Sequence, residues 1–244
     1  MDKISELAQL FAKYKTYPLK CYGAETPVRI FQRIFPENYY STDLEKFLSY
    51  QDYEPAQKGA DLPWWSKNFF GDEQGKKIMI VGQDTDVENA GSIVLEAQYF
   101  SDQFDGLLNE IKKYIDSGRR NRIKKQLAIW GINMDVDHLY ITDATKVFKV
   151  DSGEADEEKS KKLLEAEIEF CNPDLVILLG EPPFNLLVEN QKYGFAVEVG
   201  KIILVKNRKY VASPCFYGRG SSQKNFARRI EIATNLIKKV INYE

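Results

Sequence analysis

Residues Lys77 to Asp84 read KIMIVGQD. The apolar run Ile78-Met79-Ile80-Val81 is long enough for a buried strand and too short for a helix, and Gly82-Gln83-Asp84 ends it abruptly. A carboxylate therefore stands just past the end of a buried strand. In an open α/β protein, ligands and chemistry collect in the crevice outside that end.

Similar runs return along the chain. His138 to Thr142, Leu175 to Leu179 and Tyr210 to Ser213 are further candidate strands. Segments of helical period lie between them. Leu107, Leu108, Ile111 and Ile115 mark one helix, and Ile123, Leu127 and Trp130 mark a second. Leu164, Ile168 and Cys171 mark a third, which stops at Asn172-Pro173. A short helix is expected from about Pro183 to Asn190. A hairpin about Gly200 is expected from Phe195–Val199 and Lys201–Val205. A long last helix carries Phe226, Ile230, Ala233, Ile237 and Ile241. Strands alternating with helices predict a three-layer α/β/α fold around a central, mostly parallel four-stranded sheet.

Before this regular part lies an N-terminal helical extension. Ile4, Leu7, Ala8 and Phe11 recur at helical spacing, and Leu44, Phe47 and Leu48 suggest a short helix with Thr42 or Asp43 as its N-cap. Residues 16–40 read as irregular, and residues 51–75 as a long loop in which Trp64 and Trp65 are packing anchors or ligand stackers. The division expected is residues 1–62 for the extension and 63–244 for the α/β/α domain.

Composition narrows the function classes. The 244 residues are 43% apolar, enough for a substantial core, and the formal net charge is −2. The overall pI of about 5.7 is not the global signature of a nucleic-acid binder. The basic run Arg119-Arg120-Asn121-Arg122 reads as a solvated helix start. Cys21, Cys171 and Cys215 are widely spaced and odd in number, which fits neither a disulfide framework nor a metal-binding pattern. A cytoplasmic location is expected, with no membrane span, since the longest apolar runs are far too short.

Three strand ends carry polar residues: Gln83-Asp84, Thr142-Asp143-Ala144-Thr145-Lys146 and Ser213-Pro214. Were the strands parallel neighbours, all would face one cleft, bringing two carboxylates and Lys146 together. A carboxylate in a partly dry cleft acts as a base or stabilises a developing cation. The bland alternative is that each Asp caps the turn that follows its strand.

Taken in order, these segments resemble the uracil-DNA glycosylase superfamily. Gly82-Gln83-Asp84-Thr85 is similar to its first motif, GQDP, and Thr142 to Lys146 to a segment reading roughly TNxxK. Glu167 to Gly180 resembles the family's helix-then-strand segment. Val211-Ala212-Ser213-Pro214, followed by CFYGRG, resembles its last motif, HPSP. The resemblance spans roughly residues 63–242.

It implies an enzyme that flips a damaged nucleotide out of DNA and hydrolyses its glycosidic bond without metal or organic cofactor. Asp84 takes the water-directing role, with Gln83 beside it and Lys146 in the substrate pocket. Asp143 takes the base-reading position and Phe100 is a candidate stacking aromatic, a core role being the alternative. Ser213 and Pro214 become the edge that pinches a phosphate. Phe216, Tyr217 and Arg219 become the inserting loop, with Lys224 on the DNA face. Ser221 or Ser222 would cap the last helix.

The departures are specific. Val211 stands where the family has a histidine that supports the departing base, and losing such a group costs on the order of 100-fold in rate. The single histidine, His138, begins a strand away from the cleft. Asp143 replaces an amide; an ionised carboxylate accepts hydrogen bonds but donates none, so it suits a base edge that donates, such as an exocyclic amine. Two main functions follow: a divergent DNA base glycosylase, or a catalytically inactive relative that binds nucleic acid or a protein partner. Hydrolysis or transfer on a small nucleotide or nucleoside is a third.

Overall fold

The computed structural model describes residues 2–14, 27–35, 42–50, 61–67, 69–71, 75–84, 91–100, 117–133, 138–146, 156–216 and 225–242. Six strands form one sheet: β1 (Trp64–Trp65), β2 (Lys77–Gly82), β3 (His138–Asp143), β4 (Leu175–Leu179), β5 (Ile203–Val205) and β6 (Arg208–Ser213). Their order across the sheet is β1-β3-β2-β4-β6-β5. The four inner strands run parallel, and β1 and β5 close the two edges antiparallel. The mixed α/β expectation holds, and the four expected strands are the parallel centre. Among the described residues the sheet has six strands rather than four: β1 is too short to show a period, and β5 lies within the Lys201–Val205 segment expected as a hairpin arm.

The two edges account for two corrections. Trp64 and Trp65 lie in a strand, not a loop, opposite Ile141 and Tyr140. Both indoles are buried, so the packing-anchor alternative describes them: Trp65 packs edge-on to Phe47 and stacked over Tyr140, and Trp64 lies over Phe100. At the other edge the expected hairpin about Gly200 does not form. Residues Tyr193–Val199 are helical, and Gly200 ends that helix at φ +68°, where an added Cβ would meet Ile232 Cγ2 at 2.6 Å. The hairpin forms one step later, between β5 and β6 about Lys206-Asn207, both at positive φ.

The helices are α1 (Lys3–Lys13), α2 (Pro27–Ile34), α3 (Thr42–Leu48), α4 (Ser92–Tyr99), α5 (Ser117–Trp130), α6 (Glu157–Cys171), α7 (Glu181–Leu187), α8 (Tyr193–Val199) and α9 (Phe226–Ile241). In α1 the expected stripe Ile4, Leu7, Ala8 and Phe11 is buried, and the Asp2 side chain accepts from Ser5 N at 3.2 Å. Helix α2 lies within a stretch expected to be irregular; Pro27 supplies its first helical residue. Helix α6 ends at Asn172 in the left-handed conformation, directly before Pro173, as its sequence predicts. Helix α9 is preceded by Asn225 rather than by Ser221 or Ser222, which lie outside the described residues. The helix expected about Leu107 to Ile115 also lies outside them.

Strand β3 has helices against both of its faces, and that positions the site. Successive side chains of a strand point to opposite faces. Tyr140 and Thr142 reach Glu167 of α6 on one face, and Asp143 reaches Ser92 of α4 on the other. His138 is buried at the start of β3, at the end of the strand opposite the polar residues. Among the described residues, no helix is long and apolar enough to cross a membrane.

Candidate functional site

Strands β2 and β3 pair in parallel from Lys77↔His138 to Gly82↔Asp143, so both end at the same level. The pairing continues past the strands: Ala144 N donates to Gly82 O at 3.0 Å, and Thr145 N donates to Gln83 O at 2.8 Å. This ladder carries Asp84, two residues past Gly82, to the same sheet edge as Asp143, near enough for its charge to act on it. Gln83 is exposed, and Asp84 and Asp143 are half-buried. The two carboxylates expected in one cleft are thus together at the sheet's C-terminal edge.

The structure adds three residues that sequence reasoning missed: Asp61, Ser92 and Glu96. Walking back from β1, antiparallel to β3, brings Asp61 alongside the turn after Asp143, where Asp61 N donates to Lys146 O. The Asp61 carboxyl is buried and caps α4. Its Oδ1 accepts from Ser92 N at 2.9 Å, and its Oδ2 lies 3.3 Å from Ser92 Oγ. Ser92 Oγ also lies 3.0 Å from Asp143 Oδ2, to which it donates. One turn along the same face of α4 sits Glu96, 7% exposed, whose Oε2 is buried without a hydrogen-bond partner.

Four carboxyls so close cannot all ionise cheaply. Burial holds Asp61 well above the usual carboxylate range, the charge of Asp143 adds to this, and the two carboxyls hydrogen-bond each other. Burial also raises Asp143, and Asp84 adds to the rise, against hydrogen bonds from Asp61 and Ser92 and the charge of Lys146. Glu96 is pushed up to about 8, first by burial and then by the charge of Asp143. Two carboxyls gathered on one Ser92 hydroxyl, 3.3 Å and 3.0 Å from its oxygen, repel least when a proton stays with the pair.

Lys146 is corrected from its expected place in the cleft. It is fully buried, ion-paired with Glu167, donates to Thr142 Oγ1, and lies 5.7 Å from the centre of the Phe11 ring. Its charge reaches Asp61 and Asp143 from beneath, but its ammonium is closed to solvent. Phe100 is half-buried, with its ring 4.7 Å from that of Trp64 at 24°, so one of its faces is occupied by the protein.

The last strand end stands apart. Ser213 ends β6, two strands from β2, and is fully buried. Its Oγ donates to Pro214 O at 3.0 Å, and its carbonyl accepts from Gly180 N at 2.8 Å. Pro214 is buried as well. Phe216, expected in an inserting loop, is instead a core residue, 6% exposed and edge-on to Trp130 at 5.2 Å. Val211 lies inside β6 opposite Ile177, fully buried. Tyr217, Arg219 and Lys224 lie outside the described residues.

The missed residues had weak signals. Asp61 precedes a two-residue strand, below the length at which alternation is readable. Ser92 after Gly91 is an ordinary helix start, and Glu96 four residues later would have marked the same face. Among the described residues, no group of His, Cys, Asp and Glu is placed to hold a metal ion.

A search of curated proteins found no match to this chain. The model of the uracil DNA glycosylase superfamily does match, over residues 69–236, which include β2 with Asp84, β3 with Asp143 and β6 with Ser213. With more than half of its length matched, and the matched segment folded as a mixed α/β sheet with its polar residues at the strand ends, the chain belongs to the uracil DNA glycosylase superfamily.

Proposed function

We propose that this protein hydrolyses the N-glycosidic bond of a damaged or deaminated base in DNA, with Asp84 directing the attacking water. The observation that supports this reading is the register Gly82↔Asp143, which brings Asp84 and Asp143 to one edge of the sheet inside the family segment. Asp84 is half-buried and open enough to meet a substrate. Its carboxylate would accept a hydrogen bond from water and take its proton as the oxygen attacks C1′. The electrons of the breaking C1′–N bond leave with the base. The negative charge of Asp84 also stabilises the cationic sugar while the bond is broken. Water is the only co-reactant this requires. The nucleotide would be flipped from the stack, since no side chain reaches the bond within a duplex.

The test is release of free base from duplex and single-stranded oligonucleotides carrying uracil, hypoxanthine, xanthine or an alkylated base. Asp84→Asn is expected to lower release by on the order of 100-fold or more. No release from any substrate at high enzyme concentration would sink the catalytic reading.

A second reading has an observation of its own. Val211, at the position of the family's base-supporting histidine, is buried inside β6, which leaves no polar group there to assist departure of the base. On that reading the protein binds nucleic acid or a protein partner without turnover. Salt-dependent binding of the same oligonucleotides, with no release, would distinguish it. Charge reversal at Arg219 and Lys224 should weaken that binding, and unchanged affinity would remove those residues from the interface.

A further inference from the structure

The identity of the base-reading residue raises a chemical question. An amide offers a donor and an acceptor side by side; an ionised carboxylate offers acceptors alone. Asp143 in isolation would therefore select a base edge that donates. Its surroundings make it other than an isolated carboxylate.

Each element packed on Asp143 contributes a titratable group. Asp61 comes from the segment before β1, Glu96 from α4, Asp84 from the end of β2 and Lys146 from the turn after β3, with Glu167 of α6 paired to Lys146 behind it. Among the described residues, one cation that is already paired faces four carboxyls. Ser92 Oγ lies 3.0 Å from Asp143 and 3.3 Å from Asp61, so its single O–H donates to one of them at a time, while the Ser92 backbone N–H donates to Asp61. When the proton of the pair passes to Asp143, that O–H is released to turn to Asp61 and, with the backbone N–H, holds it as an anion. Glu96, nine-tenths buried with an unpartnered Oε2, sits one turn from Ser92 on the face turned to Asp143, and marks the cluster as short of a donor.

We propose that Asp61 and Asp143 hold one proton between them in the free protein and that this pair reads the flipped base: with the base bound the proton sits on Asp143, which donates it to a carbonyl oxygen and accepts from the neighbouring ring N–H through its other oxygen, leaving Asp61 as the anion. This rests on the base-binding reading of the site above. The substrate edge is then an imide or lactam, as in uracil, hypoxanthine or xanthine, rather than an amine. Asp143–OH reproduces the pattern of an amide: the O–H stands in for the amide N–H, and the second oxygen for the amide carbonyl. Asp61 is a positioning residue that supplies and takes back the proton. As pH rises and the pair loses its proton, Asp143 becomes acceptor-only and the carbonyl meets a repelling anion.

The experiment measures binding of the full chain to oligonucleotides carrying non-hydrolysable 2′-fluorinated deoxyuridine or deoxycytidine, by fluorescence anisotropy at about pH 6 and about pH 8.5. The uracil analogue should bind about tenfold tighter than the cytosine analogue at the lower pH, and that preference should vanish at the higher. Asp143→Asn, whose amide keeps a donor and an acceptor at every pH, should hold the preference at both and so controls for ionisation of the base. Asp61→Asn should lose it at both. Infrared difference spectra of the protein without DNA should show a carboxylic-acid band lost in either variant. A preference for the cytosine analogue, a pH-independent preference in the wild type, binding of neither analogue, or no acid band at about pH 6 would each overturn the proposal. An acid band and pH-dependent binding without base release would leave it standing and remove only the catalytic reading.

Discussion

Thr142 and Asp143 are consecutive residues of one strand, and the polar groups they meet on the two faces of β3 follow opposite rules. On the Thr142 side, Lys146 and Glu167 are both fully buried and ion-paired, and the Thr142 and Tyr140 hydroxyls complete the shell about Glu167. Charge is matched there and every named group has a partner. On the Asp143 side, Asp61 and Glu96 are buried with Asp143 and Asp84 nearby, and among the described residues the negative charge is offset by protons, by the Ser92 donors and by the charge of Lys146 from beneath, which is already paired. One face is neutralised by an opposite charge, the other by retaining protons. A buried pair of the first kind holds a structure together; a cluster of the second kind keeps a chemical potential that a ligand can use.

The comparison breaks first at Lys146. Lys146→Met leaves Glu167 buried without its cation and should cost about 3–5 kcal/mol in urea unfolding. The double variant Lys146→Met/Glu167→Met removes both charges and should recover most of that loss. If the single variant costs no more than the double, the two faces do not differ as described.

Glu96 tests the other side, with a sign that depends on pH. Its ordinary value is 4.5 and burial raises it to about 8, so between those values the folded state holds a proton that the unfolded chain has released. Stability must therefore fall as pH rises from 4.5 to about 8 and level off above that. Glu96→Gln removes this dependence and should be more stable than the parent by on the order of a few kcal/mol at about pH 9, with little difference at about pH 4. Urea melts across that range check both ends, and parallel curves for the two proteins would show that Glu96 ionises freely.

Ser92→Ala sharpens the picture on a smaller scale. It deletes the hydroxyl shared by Asp61 and Asp143 while keeping the backbone N–H on Asp61, and should cost about 1 kcal/mol. The smallest effect on stability is expected at Asp84, half-buried at the rim: Asp84→Asn should move stability by no more than about 0.5 kcal/mol while lowering base release by on the order of 100-fold or more. A large loss of stability would make Asp84 structural.

What could be read in the sequence follows element length. Runs such as Leu175–Leu179 and the stripe of α9 carry enough residues to show a period, so the parallel centre and the long helices α5, α6 and α9 were legible, while α4 and α8, of eight and seven residues, were not. Trp64–Trp65 and Ile203–Val205 are two and three residues long, and their strand character comes from partners across the sheet. The site divides the same way. Asp84 and Asp143 are adjacent to strands that the sequence announces, and their pairing follows from parallel register. The side-chain directions of Lys146 and Phe216 depend on which helix covers which face, information no local pattern holds; both expected surface roles gave way to buried ones. Asp61 was hidden for the same reason as the strand that delivers it.

That two-residue strand has a consequence for divergence within the superfamily. The segment matching the family model begins at residue 69, and Asp61 lies before it. A chain shortened to the matched segment would keep Asp84, Ser92, Glu96 and Asp143 and lose the carboxyl that hydrogen-bonds Asp143. Likeness over residues 69–236 accordingly leaves the partner of Asp143 unspecified. On the proposal that the Asp61–Asp143 pair reads the base, two relatives identical in every shared motif would differ in the base edge they accept, through a residue supplied from outside the region by which their kinship is recognised.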